Sequence, residues 1–521
     1  MARKRIRKTG AQAPIQAAAA APITAKAQYE AAGQGRRLRG WRAPSTGPNR
    51  AATGMETIRN RTRDAIRNDW GAAAGARSWV TNLVGSGIVP RPRTSDAKLK
   101  ARLIEVWDAW VREADADGVL DFYGLQTLAT RTWIASGEVF IRLRPRKLDD
   151  GLTVPLQIQL IEPDMVPMID HDAWPGMPAG NRIRSGIELN RIGRRVAYWV
   201  YREHPGEYHG HVSLSDLVRI PADMMLHMFE PLRPGQLRGV SDFATVLTKL
   251  RGVMDFDDAV LERQRLANLF AMFITRSNPS GPMPLDVTTG QLDLDAGGAS
   301  PAIMIEPGLV QELAPGEDVR FSEPPDSGAN YGEFIRAQHL GVAAGQGLPY
   351  ELLTGDLKDV SDRTLRIILN EFRRHCGQRQ WQIIIPMLCQ PVRDAWALYA
   401  SGGGRILPSQ IAEARRVTWA PEAWAYIHPV QDVQAKKLEV EAGFRARSQV
   451  IAAAGEDPDE VDALRAQEAA RVVPPRANAA VAEEHAEQMR SMARATEENR
   501  LRVSRLEVEA AQAGLDELRA G

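Results

Sequence analysis

Hydrophobic periodicity divides the chain into helical stretches around a β-rich middle. Apolar spacing predicts a helix over 55–83, closed by Gly85-Ser86-Gly87. A second helix covers 95–113, with Leu99, Leu103, Val106, Trp107 and Trp110 on one face. A third, 121–136, leads through Gly137 into a strand over 138–143. The pattern then turns to alternation. LQIQLIE at 156–162 reads as a half-buried strand, 187–189 and 196–201 flank a hairpin-like turn containing Gly193, and 219–229 is again extended. A turn rich in proline and glycine follows, with Pro231, Pro234, Gly235 and Gly239. It introduces one long proline-free helix, about 239–275, of roughly ten turns.

Farther along, 277–300 reads as a Pro/Gly/Asp loop, with short strands at 302–305 and 310–313. Residues 329–345 are helical, 349–361 a loop, and 362–400 a long helix bent at Pro386 and Pro391. From 431 onward the chain reads as Ala/Glu/Arg/Gln helix broken at Pro458 and Pro474-Pro475. The expected class is α+β, without internal repeats.

Composition narrows the function. With 521 residues, 44% hydrophobic and 25% charged, the chain is long enough for two or more domains or one large elongated fold. A net charge of +1 argues against a non-specific DNA binder with one large basic face, but not against a protein that DNA passes through. Residues 1–50 are the exception, rich in Ala, Gly and Arg with almost no acid. They read as a mobile basic arm, either touching nucleic acid or an acidic partner or serving only as a solvated tail. Two cysteines, Cys376 and Cys389, are too few for a disulfide framework and fit a reducing compartment. No apolar run approaches the roughly 18–20 residues that span a bilayer, so no membrane is expected and assembly in a cytoplasm is the default.

Candidate chemistry is sparse. Gly85-Ser86-Gly87 lacks the Lys-Ser/Thr of a phosphate loop and reads as a helix stop. His209 and His211, beside Glu207 and His204, share a strand face but lie in a Gly-rich hairpin without a fourth ligand. Asp115, Asp117 and Gly118 resemble the start of a calcium loop, yet Gln126 stands where its later acid belongs. Asp255, Asp257 and Asp258, with Glu262, lie within the long helix. They read as a solvated or channel-lining acidic face, with a metal-dependent nuclease site as the alternative. No catalytic residue, metal or cofactor is expected.

The order of several segments resembles the lambda-type family of tailed-bacteriophage portal proteins over most of 55–450. NDWGAAAGARSWVTNLVGSGI (68–88) matches the N-terminal helix and its turn. WDAW (107–110), SGEVFIRLRPR (136–146), LQIQLIEPDMV (156–166) and SGIELNRIGRRVAYWVY (185–201) follow. RIPADMMLHMFEPLRPGQLRGVS (219–241), LAPGEDVRFSEP (313–324), LLTGDLKDVSDRTLR (352–366) and VTWAPEAWAYIHPVQDVQAKKLEVEAGF (417–444) complete the series. The chain departs from the family at 357–362, where LKDVSD replaces an Asn/Tyr/Ser-Ser-rich loop.

The resemblance implies a portal fold: an α/β wing, a two-helix stem, a small β-containing clip and a helical crown. The implied boundaries are a basic arm at 1–54, wing at 55–238 and 362–445, and stem helices at 239–276 and 328–348. The clip takes 277–327, the tunnel loop 349–361, and the crown and tail 446–521. It further implies a ring of twelve copies at one capsid vertex, passing double-stranded DNA. The terminase docks first and neck and tail proteins later, beside the major capsid and scaffold proteins. Gly355, Asp356, Leu357, Lys358, Asp359 and Ser361 are the expected tunnel-loop residues. Val246, Leu250, Val253, Val260 and Leu261 are expected to pack the stem helix against its neighbour in the ring. A scaffold or tail-adaptor protein is the other structural alternative.

Overall fold

The computed structural model describes residues 45–50, 54–207, 213–268, 272–276, 317–321, 331–358, 360–424, 428–471, 487, 489–502 and 505; for 266–268, 272–276 and 317–321 it describes the backbone alone. The first expected helix is two, α1 (Met55–Asn68) and α2 (Trp70–Val84). Asp69 makes the break. Its backbone is extended and its carboxylate accepts the Ala72 amide at 2.9 Å, so it caps α2 instead of continuing α1. After α2, Gly85 donates its amide to Thr81 and the Ser86 amide meets the Glu422 carboxylate at 2.6 Å. The glycine turn is therefore a helix stop closed by an acid of the same chain.

Next come β1 (Val89–Pro92), α3 (Ala97–Val111) and α4 (Phe122–Ser136), the two helices capped by Asp96 and Asp121. Gly137, at φ +87°, turns the chain into β2 (Glu138–Pro145). Then follow β3 (Leu156–Ile161), β4 (Arg182–Arg184), β5 (Ile187–Leu189) and β6 (Arg195–Val200). β7 (Val218–Pro221) and β8 (Met225–Phe229) replace the single extended run expected over 219–229, with a 3-10 turn at Ala222–Met224 between them. They form two antiparallel sheets, ordered β3-β2-β8 and β4-β5-β6-β7.

β2 lies between two cores, which is why its sequence does not alternate in polarity. Val139, Ile141 and Leu143 join the large core with Trp79, Trp110 and Trp133; Phe140 joins a smaller one with Tyr198 and Ile220. Trp107 and Trp110 are core residues, the Trp110 indole donating to the Leu156 carbonyl at 2.8 Å.

The long helix expected over 239–275 is shorter at both ends. A 3-10 turn, Asp242–Thr245, precedes α5 (Leu247–Asn268), which has about six turns. The β-branched and aromatic run Met272–Arg276 is not helical but forms β9, paired antiparallel with β10 (Glu317–Phe321). The strands expected at 302–305 and 310–313 lie outside the described residues.

α6 (Tyr331–Gln346) returns, and the expected loop 349–361 contains a short helix, α7 (Tyr350–Thr354). α8 (Asp362–Arg379) continues through a π-helical stretch, Gln380–Cys389, into α9 (Gln390–Gly402). The wider π turn accommodates Pro386, which has no amide to donate. Cys376 and Cys389 are both buried and unpaired. α10 (Ile411–Arg415) leads to β11 (Val417–Ala420), which pairs with β1 and ties the two halves of the sequence together. α11 (Pro429–Glu441), α12 (Arg447–Ala453) and α13 (Pro458–Arg471) carry no buried residue.

Candidate functional site

The chain leaves the sheet for α5 through a buried polar junction. Glu138, at the head of β2, is fully buried, as is Arg238. Arg238 Nη2 lies 2.7 Å from Glu138 Oε1, and the Gly239 amide donates to the same carboxylate at 2.9 Å. The guanidinium also donates to the carbonyls of Val166, Ser185 and Pro163 at 3.1, 2.8 and 3.2 Å. The cation thus ties the head of β2 to the turn after β3 and to the turn between β4 and β5.

His227 completes the network, stacked between Phe140 and Phe229 with ring centroids at 4.3 and 4.5 Å. Nε2 is 3.0 Å from Glu138 and Nδ1 is 2.8 Å from Arg195 Nη1. A guanidinium only donates and a carboxylate only accepts, so Nε2 carries the proton and the ring is neutral. Burial pushes the imidazole down to about 4, despite the adjacent carboxylate. Burial alone would raise the Glu138 carboxyl, but Arg238 and His227 overcome it and hold it well below the usual carboxylate range. Gly137 and Gly239 pack backbone to backbone: a Cβ on Gly239 would collide with the Gly137 carbonyl oxygen. This junction was missed by sequence reasoning. Its one signal is a glutamate heading an otherwise apolar strand, directly after a glycine.

α5 and α6 form an antiparallel pair. A Cβ on Gly345 would collide with Val246 Cγ1, and one on Gly341 with Lys249 Nζ. Farther along, Phe256 meets Phe334 at 5.0 Å and the Tyr331 hydroxyl donates to Asp257 at 2.9 Å. Small residues on α6 thus bring one end of the helices close, and aromatic residues fill the other. Of the five residues expected to face a neighbouring copy, Val246, Leu250 and Val253 are buried within this chain. That expectation is corrected for these three, because their apolar surface is already covered. Val260 is half-buried and Leu261 is 56% exposed, so only these two offer surface to another subunit.

The acids of α5 do not form a metal site. Asp255 pairs with Arg251 at 3.0 Å, Glu262 with Arg265 at 3.6 Å, and Asp257 holds Tyr331. Asp258 is exposed. Among the described residues, the carboxylates and imidazole that come within 4.8 Å of one another are Glu162, Asp164 and His204. Arg63 already bridges those two acids at 3.1 and 2.7 Å, supplying the positive charge a metal would bring. Asp115 accepts the amides of Asp117, Val119 and Leu120, so it closes a loop of its own chain. His209 and His211 lie outside the described residues.

The loop after α7 is ordered by its own acid. Gly355, at φ +73°, caps α7. Asp356 accepts the Lys358 amide at 3.0 Å and the Tyr350 hydroxyl at 3.1 Å. The amide of Lys358, above all, holds its carboxyl below the ordinary value. Leu357 and Lys358 point into solvent, and Ser361 caps α8 by accepting the Thr364 amide at 3.3 Å. Asp359 lies outside the described residues.

The family described as phage portal protein, lambda family, matches residues 34–380, which run from before α1 to the first residue of the π-helical stretch. The chain belongs to the lambda family of phage portal proteins. A probable portal protein of Halomonas phage phiHAP-1 is 26% identical over 430 residues, covering 78% of each chain. Portal protein B of Escherichia phage lambda is 24% identical over 481 residues, and the portal protein of Escherichia phage N15 is 23% identical over 486; each alignment covers 84% of this chain and 88% of the relative. A solved structure described as the neck of a native gene transfer agent (GTA) particle computed with C12 symmetry is 15% identical, with a TM-score of 0.43, over 80% of this chain and 96% of that one.

The part matched to the lambda portal family contains the Glu138–Arg238 junction, the α5/α6 pair and the loop at 355–361. α9 to α13 lie beyond it. A portal function follows from this membership, and nothing supports the nuclease alternative; the architecture is the expected α+β class.

Proposed function

We propose that copies of this chain close into a ring, most simply of twelve, at one vertex of a phage capsid, and that double-stranded DNA passes through it during packaging and ejection. Membership in the lambda portal family carries this reading. On it, the two sheets with α1 to α4, α8 and α9 are the wing, and α5 with α6 the stem. The segment between them is the clip, meeting terminase and later the neck and tail proteins. The loop from Gly355 to Ser361 is the tunnel loop, and the helices after 446 the crown. Major capsid and scaffold proteins surround the ring, which is built in the host cytoplasm and retained in the virion.

The geometry suits a mechanical part. Asp255, Asp258 and Glu262 of α5 are exposed, and two of them are balanced by arginines one turn away. A channel wall needs that balance, because duplex DNA carries about one charge per 1.7 Å and a strongly basic wall would hold it. In the tunnel loop, Lys358 offers one cation per subunit beside Asp356, a contact that touches phosphates without gripping them.

Depletion during phage growth tests the reading. Infected cells lacking this protein should accumulate capsids without DNA, and supplying it in trans should restore filling. Filled, infectious particles in its absence would refute the portal role.

A further inference from the structure

The end of the four-stranded sheet carries a concentration of arginine that the portal reading leaves unused. Residues 181–200 hold five arginines and one acid, Glu188, which is buried and satisfied by Arg219 at 2.7 Å. Register places Arg182 opposite Leu189, and Leu189 opposite Arg195, in one row across β4, β5 and β6. Arg191 and Arg194 extend that row from the turn, where Asn190 accepts the amides of Ile192 and Arg194. Ile192 is 86% exposed, so the turn is not packed on the rest of the chain.

Arg195 is committed to His227 and to two backbone carbonyls, and Arg184 to Asp172. Arg182, Arg191 and Arg194 are exposed and have no ion-pair partner among the described residues. Beside them lies an open concavity of about 510 Å³, lined by Asn49, Arg182, Arg184, Leu189, Gly193, Arg195 and residues 235–237, with no carboxylate in its wall.

We propose that this sheet end binds the phosphate backbone of duplex DNA, outside the channel elements already described. The identity of the polyanion rests on the portal reading; the basic surface does not. Two strand spacings separate Arg182 from Arg195, about 10 Å, and over that length one DNA strand presents about three phosphates. A protein partner would need an apolar centre to its interface; Leu189 in the concavity is buried and Leu237 half-buried, and the exposed Ile192 on the turn does not supply one by itself. A phosphate backbone needs only cations and an open surface.

The test is binding of a fluorescent duplex to the full-length protein across a salt series. The wild type is compared with an Arg182→Ser/Arg191→Ser/Arg194→Ser variant. Both carry the same basic N-terminal residues, so the difference belongs to the hairpin. The slope of log affinity against log salt should fall by about 2.7, at about 0.9 per lost phosphate contact. Arg191→Ser alone, at an exposed turn, should lower it by about 0.9 and keeps the test open if the triple variant does not fold. An unchanged slope in the single variant overturns the proposal. So does polyglutamate of equal charge displacing the duplex as well as unlabelled DNA does, which would mark a site for an acidic protein. Electron microscopy of the wild type separates the two readings: rings without hairpin-dependent binding refute only this proposal, and hairpin-dependent binding without rings refutes only the portal one.

Discussion

Arg238 and Glu138, a hundred residues apart in sequence, meet at 2.7 Å with neither side chain more than 1% exposed. The pair fastens the segment that feeds α5 to the head of the central strand of the three-stranded sheet. It fixes where the chain leaves the sheet for α5, so movement of α5 against the sheet has to arise elsewhere than at this crossing.

Replacing Glu138 with Gln should therefore destabilise the subunit strongly. It leaves the Arg238 charge buried without its counter-ion, a loss on the order of 3–5 kcal/mol. Chemical denaturation of wild type and E138Q measures it. A change below about 1 kcal/mol, the range of an exposed ion pair, would show that the junction is not buried as described.

The same network makes a prediction about acid. His227 has a folded value of about 4 against an ordinary 6.5, so the unfolded chain takes up a proton first. Stability is complete above about pH 6.5 and is lost as pH falls from there toward 4. Glu138, also depressed, adds to the loss below its ordinary value of 4.5. His339 and His375 are lowered too, chiefly by burial, and contribute in the upper part of the window. H227Q should flatten the slope of unfolding free energy between pH 6.5 and 4.5 by up to one proton without abolishing it. An identical slope would place His227 outside the buried network.

Two leucines of α5 separate folding from assembly. Leu250 is buried, its Cδ2 3.6 Å from where a Cβ on Gly71 would stand, whereas Leu261 is 56% exposed. Leu250→Asp should cost at least about 3 kcal/mol and reduce soluble protein whatever the ring does. Leu261→Asp should change subunit stability by no more than about 0.5 kcal/mol yet shift mass photometry from rings toward smaller species. Full-sized rings from Leu261→Asp would remove α5 at that position from the interface.

Most helices were legible in the sequence because their ends are local: Asp96 and Asp121 cap the starts of α3 and α4 with their side chains, and Gly137 ends α4 at positive φ. Most of the misreadings share one cause, a partner distant in sequence; Asp69 is the exception, its partner Ala72 standing three residues on. Asp69 looks like one more polar helix residue until its side chain is seen capping the next helix. Met272–Arg276 satisfies helical spacing but finds its strand partner more than forty residues on, at Glu317–Phe321. Val246, Leu250 and Val253 announce an apolar stripe without saying what covers it; Gly71 and Gly345 do, from other parts of the chain. The Glu138–Arg238–His227 junction was illegible for the same reason, since no spacing rule links residues 138, 227 and 238.

Lys358 tests the loop. It is exposed, and only its backbone amide is engaged by Asp356. Lys358→Glu should leave rings and proheads intact while lowering the DNA retained per capsid, read as genome length in purified heads. Unchanged DNA content and unchanged infectivity would show that Lys358 does not face the channel in any way that matters.

The central claim is that this chain closes on itself around an opening that passes DNA, and images of the purified protein viewed down the particle axis test it most directly. The account predicts closed radial rings, twelve-fold by the resemblance, with a central hole wide enough for a duplex. Monomers at every concentration, or compact particles with no axial opening, would contradict it.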